Sequence, residues 1–157
     1  MSSDDVFQEN LKIGIAGEDI VYDYLIRTNR LVEDTRSQVH GQGRGPRMVG
    51  TEGVIIQPDF CVYNPDTRRG RFAVDVKVKT SLYPFQGKKC FTVDNKYEDY
   101  KRIVEIKMLD YLALVFMYNG KMFFYRDSDC IGFQFLSNDY GHGNVYYFEY
   151  DETKIKY

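Results

Sequence analysis

The chain has 157 residues, a mass of 18.5 kDa and a formal net charge of −2, and this length is typical of a single domain, here residues 1–157. Apolar residues make up 43% of the chain and charged residues 28%, which is ordinary globular usage and excludes intrinsic disorder. No apolar stretch approaches the ~20 residues that a membrane helix requires, and the first residues lack the basic and apolar regions of a signal peptide. We therefore expect no membrane association.

The amino-terminal part is predicted to begin with one long helix. Apolar residues recur at helical spacing over residues 5–29, and Gly17 within this run allows close packing against a sheet. A short strand is expected over residues 31–36. Residues 40–53 contain five glycines and one proline and show no hydrophobic period, which predicts a long loop.

After this loop the chain is predicted to contain one further helix among several strands. Asp94 is of a residue type that caps helices, which predicts a helix ending near residue 109 with Tyr100 and Met108 on its buried face. Asn119-Gly120 is the strongest short signal for a β-hairpin. The expected strands are residues 54–63, 71–79, 91–93, 112–118, 121–126, 131–136 and 144–150. This order predicts an α/β domain with a mixed central β-sheet flanked by helices and a β-rich carboxy-terminal extension.

Positive charge is concentrated in the middle of the chain. Ten basic and four acidic residues lie between Arg36 and Lys89, a net charge of +6, whereas the rest of the chain carries −8. A local excess of this kind is typical of a surface that binds a polyanion such as DNA, and chance clustering of surface charge is the other interpretation. The candidate DNA contacts are Arg36, Arg44, Arg47, Arg68, Arg69, Lys79, Lys88 and Lys89.

The cysteines and histidines exclude several kinds of site. Cys61, Cys90 and Cys130 are widely spaced and form no C-x-x-C pair, which argues against a disulfide framework and against a structural zinc site. We therefore expect a reduced, cytoplasmic protein. With only two histidines, a histidine-rich metal site is nearly excluded.

Two aspartates are predicted to face each other across the hairpin formed by residues 54–63 and 71–79. If the turn is symmetric about Thr67, Asp59 lies opposite Asp75 with ~5 Å between their Cβ atoms. Carboxylates at this distance repel, and a divalent cation such as Mg²⁺ would relieve the repulsion because it favours carboxylate and carbonyl ligands. The alternative interpretation is a half-buried strand whose charged face is solvated.

The spacing of these residues resembles a known signature. Pro58-Asp59, followed after fifteen residues by Asp75-Val76-Lys77, resembles the P-D…(D/E)-x-K motif of the restriction-endonuclease-like, or PD-(D/E)XK, nuclease superfamily. Gly17-Glu18 resembles the helical acid of that superfamily, and the predicted α-β-β-β-α-β order matches its core. Within the superfamily the chain is most similar to archaeal-type Holliday junction resolvases, over about residues 10–126. Residues 127–157 form an extension that the resemblance does not cover.

The resemblance implies a role for each residue of the motif. Asp59 and Asp75 would bind Mg²⁺ or Mn²⁺ together with the carbonyl of Val76, and Glu18 would bind the metal or a water on it. Lys77 would orient the attacking water or stabilise its hydroxide. The implied activity is metal-dependent cleavage of DNA, most of all branched DNA such as Holliday junctions, leaving a 5′-phosphate and a 3′-hydroxyl.

The resemblance also implies a homodimer, because two symmetric strands must be cut, and the aromatic tail strands are a candidate interface. Two alternatives stay open. The first is a restriction- or replication-type endonuclease that acts on linear DNA. The second is a module with the nuclease fold that binds DNA or a protein without cutting, although such relatives usually lose a member of the acid–acid–lysine set.

Overall fold

Two helices and twelve strands form the part of the chain that a computed structural model describes, namely residues 2–28, 31–36, 47–51, 53–67, 71–138 and 141–156. The helices are α1 (Ser3–Arg27) and α2 (Lys96–Ile106). The strands are β1 (Leu31–Asp34), β2 (Arg47–Gly50), β3 (Gly53–Ile56), β4 (Phe60–Tyr63), β5 (Phe72–Lys79), β6 (Tyr83–Phe85), β7 (Lys88–Val93), β8 (Tyr111–Tyr118), β9 (Lys121–Arg126), β10 (Cys130–Asn138), β11 (Gly141–Glu149) and β12 (Ile155–Lys156).

The strands form three sheets. The largest has the order β1-β4-β5-β8-β9-β12, the second has the order β10-β11-β7-β6, and β2 pairs with β3 alone. Within the large sheet β5 and β8 are parallel, because helix α2 lies in the crossover between them, and the other neighbours are antiparallel. The predicted α/β class with a mixed sheet is therefore confirmed. Among the described residues, neither helix has the length and apolarity to span a membrane.

The large sheet is covered on both faces. Val21 and Leu25 of α1 pack with Val74 on one face, and Tyr100 of α2 belongs to a cluster with Leu114 on the other face. Burying each such side chain contributes about 1.5–3 kcal/mol. The alternation of side chains along β5 therefore assigns one face of that strand to each helix: Val74 and Val76 pack against α1, and Lys77 lies on the face of α2.

The prediction of one continuous strand over residues 54–63 is wrong. The chain forms β3 and β4 in two different sheets, with Gln57, Pro58 and Asp59 between them outside any strand. Pro58 has no backbone N–H to donate to a ladder, so a continuous strand would lose a hydrogen bond there. Asp59 consequently lies at the break in front of β4.

The prediction of a loop over residues 40–53 is wrong for its last part. Strand β2 pairs with β3, with Arg47 opposite Ile56 and Val49 opposite Val54. The backbone N–H of Ile56 donates to the carboxylate of Asp99 on α2 at 3.0 Å, which anchors this hairpin to the helix. Residues 40–46 lie outside the described residues.

Turn chemistry explains where two hairpins reverse. Asn119 and Gly120 have positive φ of 50° and 71°, so the predicted hairpin between β8 and β9 is confirmed. Gln86 and Gly87 make an equivalent turn between β6 and β7 that was not predicted. Helix α2 ends earlier than predicted, and Met108, which has a φ of 56°, is exposed rather than on the buried face.

Candidate active site

The register of β4 and β5 brings two aspartates together. Phe60 lies opposite Val74 and Cys61 opposite Ala73, which is the register predicted from a turn symmetric about Thr67. Continuing it by one residue places Asp59 opposite Asp75. The Asp59 carboxylate reaches across the strands, and the backbone N–H of Val76 donates to its Oδ2 at 2.8 Å.

The residue after β1 holds the backbone of Asp59 in place. The N–H of Thr35 donates to the Asp59 carbonyl at 3.0 Å, and the Thr35 hydroxyl lies 2.9 Å from the same oxygen and 2.5 Å from the Pro58 carbonyl. These bonds replace the ladder that is interrupted at Pro58. Sequence reasoning missed Thr35, because nothing in a lone threonine at a strand end signals this contact.

Asp75 and Lys77 form an ion pair on one face of β5. Asp75 is only 3% exposed, and its Oδ2 lies 3.2 Å from Lys77 Nζ. Yet this oxygen accepts no hydrogen bond of regular geometry, which makes it one of two such buried side-chain atoms among the described residues. Lys77 Nζ also lies 3.5 Å from the hydroxyl of Tyr100 on α2. Tyr100 was predicted to be a core residue, and its contact with Lys77 could not be inferred from its spacing.

A close approach of α1 to the sheet places Glu18 beside the pair. Gly17 is buried against Val78 of β5, and a Cβ at Gly17 would lie 2.6 Å from Val78 Cγ2. No side chain larger than hydrogen fits there without a shift. Glu18, the next residue, lies near enough to Asp75 and Lys77 for their charges to act on its pKa.

The surroundings of Glu18 and Asp59 disfavour the charged form of both carboxylates. Burial raises the pKa of Glu18 to about 7, against an opposing effect of the Arg36 guanidinium and with a further rise caused by Asp75. Burial and the neighbouring carboxylates of Asp75 and Glu18 raise the pKa of Asp59 well above its usual range. Burial by itself would lower the pKa of Lys77, but Asp75 and other nearby acids outweigh it and raise that pKa. The site thus carries more acidic groups than its one lysine can neutralise.

Arg36 is not on a surface that DNA could reach, which corrects its prediction as a DNA contact. It is 3% exposed and donates to Asp19 and to Asp34, each at 2.8 Å. Its guanidinium carbon lies 4.8 Å from the centre of the Phe60 ring, and its nearest nitrogen lies 3.7 Å from Glu18. Arg36 therefore joins α1 to the end of β1, because a buried guanidinium needs these acidic partners to offset its desolvation.

The structure describes four of the other seven predicted DNA contacts. Arg47 and Lys89 are exposed on β2 and β7, and Lys88 forms an exposed ion pair with Glu149 at 3.6 Å. Lys79 is partly buried at the end of β5, where burial and the charge of Lys77 lower its pKa to about 8. The remaining three candidates lie outside the described residues: Arg44, Arg68 and Arg69.

The donor set fits a divalent cation that a substrate helps to bind. The described residues contain no group of three histidine, cysteine, aspartate or glutamate side chains arranged to hold a metal ion. However, the buried Oδ2 of Asp75 has Lys77 Nζ as a charged neighbour but accepts no hydrogen bond, and a nearby cation would offset the repulsion that neighbouring carboxylates exert on Asp59. Mg²⁺ is commonly bound by one or two carboxylates, with water and substrate phosphate as the other ligands, and this pair supplies that number.

Comparison of the chain with family models, with curated proteins and with solved structures finds no match.

Gly17→Ala should destabilise the protein by about 1–3 kcal/mol, because the new methyl group overlaps Val78 in a packed helix–sheet contact. The matched control is Gly14→Ala on the same helix, where no atom lies within 4 Å of the added carbon. That change should stabilise by up to about 1 kcal/mol through helix propensity. Urea unfolding measures both variants, and equal effects would show that α1 does not press on β5 at Gly17.

Deprotonation of Glu18 and Asp59 should cost the metal-free protein stability as the pH rises from about 4 to about 7. Both groups have folded-state pKa values above their unfolded values, so at these two sites the folded state binds more protons, and their contribution to the free energy of unfolding falls with pH. Asp59→Asn, measured by urea unfolding in a chelator, should gain stability relative to the wild type as the pH rises. Parallel profiles for the two proteins would contradict the raised pKa of Asp59.

Proposed function

We propose that the protein is a metal-dependent endonuclease with a restriction-endonuclease-like fold, which hydrolyses phosphodiester bonds of branched DNA such as four-way junctions. The observation that carries the proposal is that Asp59, at the break in front of β4, accepts from the N–H of Val76 on β5, next to the ion pair of Asp75 and Lys77. A pair of carboxylates can hold a cation that activates water and offsets charge on a phosphate, and an adjacent ammonium can stabilise negative charge that develops in the reaction.

The order of helices and strands along the chain supports this proposal. Helix α1 carries Glu18, Asp59 directly precedes β4, Asp75 lies on the antiparallel neighbour β5, and α2 crosses over to the parallel strand β8. This order matches the α-β-β-β-α-β order of the superfamily core once two inserted hairpins are set aside, β2 and β3 before β4 and β6 and β7 before α2. The second sheet, to which the carboxy-terminal extension contributes β10 and β11, lies outside that core.

Asp59 and Asp75, with the carbonyl of Val76, are the groups that would hold Mg²⁺ or Mn²⁺. When bound, the cation would lower the pKa of water and offset charge on the phosphate. The N–H of Val76 uses one oxygen of Asp59, and no described residue engages the other. The buried Oδ2 of Asp75, which accepts no hydrogen bond and lies 3.2 Å from Lys77 Nζ, would be a second ligand.

Lys77 and Glu18 act around this pair. The Lys77 ammonium, held between Asp75 and Tyr100, orients the attacking water and stabilises negative charge that develops on the phosphate. Glu18, whose pKa is about 7, can hold or accept a proton beside the two aspartates. Water oxygen bonds to phosphorus, the bond from phosphorus to the 3′ oxygen breaks, and that oxygen takes up a proton. The products are a 5′-phosphate and a 3′-hydroxyl.

A homodimer would place two such sites on the two strands of a symmetric junction. Strand β10 is at one edge of the second sheet, and its Phe133 and Phe135 are 62% and 65% exposed. Exposed aromatic side chains on a long edge strand favour pairing with another strand. This edge is the part of the tail that we propose as the dimer interface.

The test is incubation of the purified protein with junction, flap, single-stranded and linear duplex DNA, with Mg²⁺ or with a chelator. The proposal expects metal-dependent nicks that leave ligatable 5′-phosphates, with the junction cut fastest. Fastest cutting of linear duplex would favour the restriction- or replication-type alternative. Tight DNA binding without cutting in Mg²⁺ or Mn²⁺ would favour the non-catalytic module.

A further inference from the structure

A cleft opens beside the candidate active site, where the end of β5 meets the second sheet. Its volume is about 290 Å³, near the ~300 Å³ lower limit of typical ligand pockets. Its lining combines cationic, hydroxyl, aliphatic and aromatic side chains, chiefly Lys79, Ser81, Tyr83, Thr92, Leu136 and Tyr147. None of these residues belongs to the acid–acid–lysine set.

The cleft continues the charged face of β5. Lys79 follows Asp75 and Lys77 on that face, roughly 13 Å along the strand from Asp75. Its Nζ lies 3.5 Å from the hydroxyl of Thr92 on β7, so an ammonium and a hydroxyl donor stand together at one side of the cleft. Such a pair suits a phosphate group, and a DNA strand held at Asp75 would reach it within a few nucleotides.

Two tyrosines form the aromatic side of the cleft, and one of them, Tyr147, is buried and held by several contacts. Tyr147 is 5% exposed, stacks on Phe85 with ring centres 4.1 Å apart, and donates its hydroxyl proton to Gln134 at 3.2 Å. Phe85 is held in turn against Gly132, where a Cβ would lie only 2.9 Å from the ring. Tyr83, by contrast, is 52% exposed and has ring surface free for a planar group.

We propose that this cleft binds one unstacked nucleotide of the strand that is cut, with its base against Tyr83 and its phosphate at Lys79 and Thr92. The inference rests on the proposed nuclease function for the path of the strand, and it narrows the substrate class to DNA in which a nucleotide beside the cleavage site can leave the base stack. A base inside a continuous duplex is stacked on both faces and cannot enter, whereas a base at a branch point, gap or flap is free to do so.

The experiment measures DNA affinity without cleavage, by fluorescence anisotropy of the full-length chain in Ca²⁺. The probes are a short labelled oligothymidylate and a labelled blunt-ended duplex of two complementary strands of the same length. Tyr83→Ala should weaken binding of the oligothymidylate about tenfold, as expected for one lost base–aromatic stack, and should change duplex binding less than twofold. Tyr83→Phe should bind like the wild type, because the stacking ring is retained.

Two further variants make the result specific to the cleft. Phe7→Ala removes an exposed aromatic ring from α1, outside the cleft, and should leave binding of both probes unchanged. Lys79→Gln should weaken binding of the oligothymidylate and lower the slope of log affinity against log salt by about one unit. Equal losses for both probes with Tyr83→Ala, or no loss for either, would overturn the proposal.

The affinity measurements and the cleavage assay together separate this inference from the nuclease function. A Tyr83-dependent preference for the single strand in a protein that cuts no DNA would leave the cleft assignment standing and remove the catalytic one. If the protein cuts branched DNA but Tyr83→Ala does not change its affinity for the single strand, the nuclease function stands and the assignment of the cleft is wrong.

Discussion

Replacement of Asp59 or Asp75 by alanine should abolish Mg²⁺-dependent DNA cleavage while the domain stays folded. Each change removes one of the two carboxylates that would hold the cation, so the cation would bind more weakly and out of its productive position. In a chelator, Asp59→Ala should unfold at an equal or higher urea concentration than the wild type, because it relieves repulsion and burial of charge. Asp75→Ala should gain less stability than Asp59→Ala, because Lys77 loses the carboxylate that lies 3.2 Å from its Nζ.

Asp66→Ala is the matched control, since Asp66 is an exposed aspartate in the turn between β4 and β5. It should cut DNA like the wild type. Wild-type cleavage by both site variants would show that the nuclease proposal is wrong. If both variants unfold while Asp66→Ala stays folded, the two carboxylates are structural, and the charged face of β5 has no catalytic role.

Lys77→Ala should lower the rate of cleavage by about two to three orders of magnitude, with little loss of DNA affinity. The ammonium acts on charge that develops during the reaction, whereas one contact between a lysine and a phosphate changes the salt slope of binding by only about one unit. Single-turnover cleavage gives the rate, and anisotropy in Ca²⁺ gives the affinity. Lys77→Met, which keeps the length of the side chain without its charge, should behave like the alanine variant.

Lys12→Ala, which removes an exposed lysine from α1, controls for a general loss of positive charge and should change neither quantity. An affinity loss for Lys77→Ala that equals its rate loss would assign Lys77 to plain backbone contact. A rate unchanged from the wild type would remove Lys77 from the mechanism.

The sequence by itself determined the parts of this protein that depend on short-range pattern. The alternation along β5 and the short turn before it were enough to predict the register that places Asp59 opposite Asp75. Asn119-Gly120 predicted its hairpin because both residues tolerate positive φ. The helical period likewise placed Glu18 on α1, next to a glycine that suits close packing against a sheet.

Only the tertiary structure decided which charges are buried and which distant segments pair. Arg36 resembles its basic neighbours in sequence, yet acids on α1 and β1 surround it, and desolvation then makes it part of the core. Strand β7 pairs with β11, more than fifty residues further on, and this pairing builds the second sheet and the wall of the cleft. Local propensity and periodicity carry no information on such long-range partners, because pairing and burial depend on which surfaces meet when the whole chain folds.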